Sequence, residues 1–203
     1  MKISIDTNGV LRDTFGKAEQ VYQKFMIDDY IMGEDEEEFE FKLNTPITSM
    51  TLTDHFIFKE KEDIFDFFYT DFPMNIFGHA SSTENNSFNT VNEIYRDLRG
   101  ENDLMIVSDE IEKSKPATLF FLSKFGCLIE KIKFFSKITE ASLWDETDIL
   151  ITSNPNLMDT KPEGKIVVKY KTTYNENSVS DYEIETIEEF KNLYETLKLK
   201  NND

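Results

Sequence analysis

The sequence predicts an α/β protein, a doubly wound parallel sheet interrupted after its first strand and helix by a small insertion. Three observations carry this. Short apolar or β-branched runs recur along the chain, and amphipathic stretches with apolar residues every three or four positions lie between them. The segment from 28 to 86 then breaks this alternation with acidic and aromatic residues. Strands alternating with helices imply parallel pairing, because a crossover helix returns the chain to the same end of the sheet. Residues 1–27 and 87–203 are expected to form the core, and 28–86 the insertion.

The first element, Lys2-Ile3-Ser4-Ile5-Asp6, is a short strand, and Asn8-Gly9 after it favours a turn. From Thr14 onward Phe15, Ala18, Val21, Tyr22, Phe25 and Met26 recur with helical spacing. Inside the insertion, residues 48–52 read as a short strand, Ile64, Phe67 and Phe68 as a helical face, and 81–86 as a closing polar run. Phe88, Val91, Ile94, Tyr95 and Leu98 form a helical stripe that stops at Gly100. Residues 103–108 are then mostly apolar, as a strand buried on both faces requires. Ser114 is expected to cap the next helix, with Pro116 in its first turn, running through Leu119, Phe120 and Leu122 to Gly126. Residues 131–135, 148–151 and 165–168 are further strands. A last helix opens with the capping-box pattern Thr186-Ile187-Glu188-Glu189 and carries Phe190, Leu193, Tyr194 and Leu197.

Composition limits function. With 203 residues, 39% hydrophobic and including 18 Phe, the chain can bury a core without staples. Its single cysteine, Cys127, can form no internal disulfide and no cysteine-based metal site, and is read as a small buried apolar residue in a reducing compartment. No run approaches the roughly 20 apolar residues of a membrane span, so a cytoplasmic protein is expected. A formal net charge of −18 repels phosphate backbones and anionic membranes, which argues against general nucleic-acid or membrane binding. The run 34–40 reads as a solvated acidic face, with a partner-binding patch as the alternative. Richness in Lys, Asn, Ile and Phe suggests an AT-rich genome, bacterial or viral. A virus-encoded protein would be made in the host cytoplasm and could be carried in the particle.

In a doubly wound sheet the ligand site lies beyond the carboxyl ends of the strands. Those ends supply Asp6, Ser108, Ser136-Lys137 and Thr152-Ser153. A carboxylate can attack phosphorus while hydroxyl and ammonium groups hold its oxygens, so this set suits a phosphoryl group, although strand ends are polar in most such sheets.

Their order along the chain resembles the haloacid-dehalogenase (HAD) phosphohydrolase superfamily. Ile3-Ser4-Ile5-Asp6-Thr7-Asn8-Gly9-Val10-Leu11 is similar to its opening motif, Ser108 to its second, Lys137 to its third and Asp148-Ile149-Leu150-Ile151-Thr152-Ser153-Asn154-Pro155 to its fourth. Phe134-Phe135-Ser136-Lys137 and the strand before Tyr174-Asn175 resemble the 5'(3')-deoxyribonucleotidase branch most. The resemblance implies Asp6 as nucleophile, Asn8 at the acid/base position, Ser108 and Lys137 as phosphate ligands, Mg²⁺ shared by Asp6 and the Asn8 backbone carbonyl, and a cap formed by the insertion.

Two departures stand against activity. Asn8 cannot exchange a proton where the family uses a second Asp, and loss of general acid/base help costs about 10²–10⁴ in rate. Thr152 and Ser153 stand where the fourth motif carries metal-binding aspartates, and neutral hydroxyls are poor magnesium ligands. Asp148 lies about 13 Å back along its strand at about 3.3 Å per residue, out of reach, which leaves Asp109 or Asp159 to supply an oxygen from another direction. His55 and His79 read as surface or packing residues. Trp144 and the phenylalanines read as core, although the concentration of Phe65, Phe67, Phe68, Phe72 and Phe77 in the insertion is also what a protein interface would show.

The expected function is therefore a non-catalytic HAD-like protein, a structural or protein-binding component of an assembly, with other proteins or a second copy as partner. The alternatives are a Mg²⁺-dependent 5'-nucleotidase working through an aspartyl-phosphate, and a sensor that binds a nucleoside monophosphate without hydrolysing it.

Overall fold

A computed structural model describes residues 1–28, 40–98 and 103–200. Most of the acidic run and Gly100 lie outside them. Strands β1 (Lys2–Asp6), β4 (Asp103–Asp109), β5 (Ile132–Phe135), β6 (Ile149–Thr152), β7 (Ile166–Tyr170) and β8 (Tyr182–Ile184) form one sheet in the order β5-β4-β1-β6-β7-β8. All its pairings are parallel. The chain runs from β1 to β4 and β5 on one side, then crosses to β6, β7 and β8 on the other. The crevice at this reversal opens beyond the end of β1, at Asp6.

Helices cover both faces, which explains the continuous apolar runs in the strands. Side chains alternate along β4: Leu104 and Ile106 join one cluster, Met105 and Val107 the other. The first face carries α3 (Ser87–Leu98) and α7 (Ile187–Lys200), which contribute Phe88, Val91, Ile94, Ile187 and Phe190. The second carries the short α5 (Glu140–Asp145) and α6 (Pro155–Asp159), with Leu143, Trp144, Leu157 and Met158. Trp144 is thus a core residue, and Cys127 is half-buried against the first cluster.

The segment after β1 builds a third cluster. Helix α1 (Thr14–Tyr22) continues as a π-helix, Gln23–Asp28. A short helical turn, α2 (Asp63–Phe65), runs into two further π-helical turns, Asp66–Asp71 and Met74–Gly78. Tyr22 sits edge-on to Phe56, Phe58 and Phe67, and Phe67 and Phe68 pack beside it. Most of the aromatic residues that could have marked an interface are therefore packed on one another; Phe65 alone of the five is largely exposed.

Local expectations fail in three places. Residues 48–52 form no strand; β2 (Lys42–Leu43) and β3 (Phe56–Ile57) pair instead, antiparallel and two residues long. Ser114 does not cap α4 (Ser114–Lys124) but is its first residue, its hydroxyl donating to the Ile111 carbonyl, while Lys113 precedes the helix. Leu119 and Phe120 face outward, and α4 buries Ala117, Thr118, Phe121 and Leu122. The helix does end before Gly126, whose φ of 68° is the left-handed conformation that stops a helix. Among the described residues no helix is long and apolar enough to cross a membrane.

Candidate active site

The loop after β1 is tightly wound. Thr7 binds the Val107 carbonyl twice, by its amide at 2.9 Å and its hydroxyl at 3.0 Å, and so ties the loop to β4. The amides of Leu11 and Arg12 return to the Thr7 carbonyl. Gly9 turns the chain at φ 72°, where a Cβ would lie 2.1 Å from the Tyr174 hydroxyl and 2.2 Å from Ser153 Oγ. Only glycine lets the loop come this close to the end of β6.

Asp6, Asn8, Thr152 and Ser153 meet here as their strand ends foretold, but their hydrogen bonds run in an informative direction. Thr152 Oγ1 accepts from the Asn154 amide at 3.0 Å, so its proton points at Asp6 Oδ2, 2.7 Å away. Ser153 Oγ accepts from the Tyr174 hydroxyl at 2.8 Å and donates to the Asn8 carbonyl at 3.0 Å. Asn175, almost wholly buried, donates to the carbonyls of Ser153 and Tyr170 and locks this arrangement. Both hydroxyls are thus oriented as donors toward the two oxygens that a metal would take.

The residues present do not fit a magnesium ion. Mg²⁺ requires hard, anionic oxygens in near-octahedral geometry, with lone pairs free to face it. Here Asp6 Oδ2 and the Asn8 carbonyl already accept protons, and the two hydroxyls hold theirs between themselves and those oxygens. Among the described residues no three His, Cys, Asp or Glu gather as a metal-binding group. Asp148 sits at the far end of β6, bound to the Lys2 amide and to Lys165, and Asp159 is exposed at the end of α6. Only Asp109 of the suggested rescuers shares the cavity with Asp6.

The expected phosphate ligands do not face that cavity. Ser108 is fully buried, and its hydroxyl donates to Glu110 Oε1 at 3.0 Å. Lys137 follows β5 as an exposed residue and is not among those lining the cavity around Asp6. His79 is exposed against Phe120, and His55 is buried and bonded to the Asn44 carbonyl.

What sequence reading missed is a buried ionic centre beside the loop. Arg12 is wholly buried and pairs with Glu110. Its guanidinium also donates to Asn8 Oδ1 at 2.6 Å, Thr14 Oγ1 at 3.1 Å, the Phe77 carbonyl at 3.2 Å and the Thr118 hydroxyl. Thr118 donates in turn to Glu110. The centre joins the β1 loop, the end of β4, α4 and the turn at Phe77. Arg12 follows the two buried residues Val10 and Leu11, and nothing in that local pattern points to partners about 100 positions away.

Above Asp6 lies a cavity of about 90 Å³, walled mainly by aromatic and apolar side chains such as Phe68, Tyr69, Phe77 and Tyr174. Burial pushes the Asp6 carboxyl up to about 7; the Thr152 bond opposes this, and the Asp109 charge adds to it. Asp109, whose side chain reaches solvent, is raised to about 6, first by the protein around its carboxyl and then by Glu110 and Glu140. Among the described residues Asp6 Oδ1 makes no hydrogen bond, although the Asn8 amide lies close enough to favour the charged carboxyl. A larger depression of about 510 Å³ lies to one side, between the first turn of α1, Thr45–Ile47 and Thr172–Tyr174, and does not include Asp6.

No family model and no curated protein matches the sequence. Solved structures do. A HAD-superfamily hydrolase of subfamily IA, variant 1, from Geobacter sulfurreducens superposes with a TM-score of 0.55 at 14% identity, over 95% of this chain and 96% of its own. A dehalogenase with an intermediate complex gives 0.52 at 10% identity, again over 95% and 96%. At such identities the likeness speaks to architecture alone, and the architecture is that of the HAD-superfamily hydrolases.

Proposed function

We propose that this HAD-fold chain no longer carries out metal-dependent phosphoryl transfer and acts as a structural or protein-binding component of a larger assembly. One observation carries the reading: the hydroxyls of Thr152 and Ser153 donate to Asp6 Oδ2 and the Asn8 carbonyl, where a cation would otherwise sit. Asn8 supports it, since an amide bonded to Arg12 and Thr14 has no proton to exchange with a leaving group or water. The inward turn of Ser108 and the outward position of Lys137 support it too. The order of strand-end residues favours descent from the 5'(3')-deoxyribonucleotidase branch. For the binding role, Met74 and Phe120 are each about two-fifths exposed and adjoin one another across Gly78, an apolar surface that a partner protein could cover.

The test is phosphate release from deoxynucleoside monophosphates and an aryl phosphate, with and without Mg²⁺, by the native chain and Asp6→Asn. No metal-dependent release is expected from either. Release that requires Mg²⁺ and disappears in Asp6→Asn would show a working nucleotidase and reverse the proposal.

A further inference from the structure

We infer that the cavity above Asp6 is a binding site for a small organic cation, an alkylammonium group. The inference rests on the reading that the site is not a working phosphatase. Its floor is the carboxyl of Asp6, only 2% exposed, whose Oδ1 makes no hydrogen bond among the described residues while Oδ2 is held by Thr152 and the Asn8 amide stands nearby. A buried carboxylate oxygen left without a donor is costly, and a ligand that brings an N–H removes that cost. Asp109 adds a second carboxylate to the same lining. It lies two residues beyond Val107, which pairs with Asp6 across β1 and β4, so both acids stand on one rim.

Among the described residues no lysine or arginine lines the cavity. The guanidinium of Arg12 is paired with Glu110, and its charge offsets only part of what burial and Asp109 do to Asp6, whose pKa stays raised to about 7. An anion entering would meet two carboxylates and no lining cation. A divalent metal would find hydroxyl protons on Asp6 Oδ2 and the Asn8 carbonyl and, among the described residues, only Asp6 Oδ1 and Asp109 as further anionic oxygens, too few for an octahedral shell. An ammonium instead finds carboxylates at the base and aromatic walls in Phe68 and Tyr69, while the Phe77 ring already carries the Arg12 guanidinium 5.0 Å from its centroid. Met50 and Leu52 supply apolar contact for a short alkyl stem. A volume of about 90 Å³ suits a small ligand, an amine head with a few carbons.

Two sources offer this chemistry, a free amine and the side chain of a lysine on a partner protein. The experiment is calorimetric titration of the full chain with n-butylammonium chloride, Nα-acetyl-lysine-N-methylamide, n-butanol, MgCl₂ and inorganic phosphate, repeated with Asp6→Asn and Asp109→Asn. n-Butylammonium is expected to bind the native chain and to lose at least tenfold in affinity in either variant, with no heat from butanol or phosphate. Binding of the blocked lysine as well assigns the site to lysyl side chains; its failure beside bound butylammonium assigns it to free amines. The exposed Asp109 keeps the test informative if Asp6→Asn misfolds. Absence of butylammonium binding, binding by both variants as tight as by the native chain, or stronger binding of Mg²⁺ or phosphate overturns the inference. Amine binding that fails while phosphate release also fails leaves the non-catalytic reading standing; Mg²⁺-dependent release overturns that reading itself.

Discussion

Arg12→Met is expected to lower the unfolding free energy by about 3–5 kcal/mol, the range for removing one partner of a buried ion pair. The guanidinium holds Glu110 together with hydroxyl donors from Ser108 and Thr118, and ties down Asn8 and Thr14. Its loss strands a carboxylate with 2% exposure, and Glu110 Oε2 already has no partner among the described residues. Most of the cost should therefore come from the charge left behind. Arg12→Met combined with Glu110→Leu should recover much of it, because the double change removes both charges from the interior. Arg12→Lys should not, since a single ammonium cannot reach the five partners that the planar fork spans. Urea unfolding of the four proteins checks this. A single variant as stable as the native chain would mean that the pair is solvated or unformed.

The second large effect is a stabilisation. Asp6→Asn should raise stability at pH 8 by about 3 kcal/mol and leave it nearly unchanged at pH 4. The folded-state pKa of Asp6, about 7, lies above its ordinary value of 3.8. The native state thus holds this proton more tightly than the unfolded chain. The stability that it contributes is complete below about pH 3.8 and is lost as pH rises through 7. A gap of about 3 units at 1.36 kcal/mol each sets a ceiling of about 4 kcal/mol. Asparagine keeps the shape, can still accept from Thr152, and carries no charge, so it escapes the loss. For a chain of this size the expected gain is roughly 6–12 °C in Tm at pH 8. Asp109 titrates in the same direction and is present in both proteins, so the difference between them reports Asp6 together with its repulsion from Asp109. Melting curves at pH 4, 6 and 8 decide it: a variant that melts with or below the native chain at pH 8 would mean that Asp6 is not a strained, desolvated acid.

The sequence by itself determined the sheet, since a strand buried on both faces must be an apolar run, and runs such as Leu104 to Val107 and Ile149 to Ile151 have no other easy reading. It also determined that Asp6, Asn8, Thr152 and Ser153 share one rim, because β1 and β6 are parallel neighbours whose carboxyl ends coincide. It could not place β2 and β3, because two-residue strands carry no period, nor the outward face of α4, where a generally apolar helix leaves Leu119 and Phe120 outside. Tertiary structure alone decided where the side chains of the rim point. Ser108 turns to Glu110, Lys137 stays outside, and Arg12 finds partners from four separate segments. The direction of a hydrogen bond and the charge balance of a cavity depend on groups brought together across the whole chain. For that reason the motif order announced a phosphate site, while the assembled side chains left a pair of acids in an aromatic pocket.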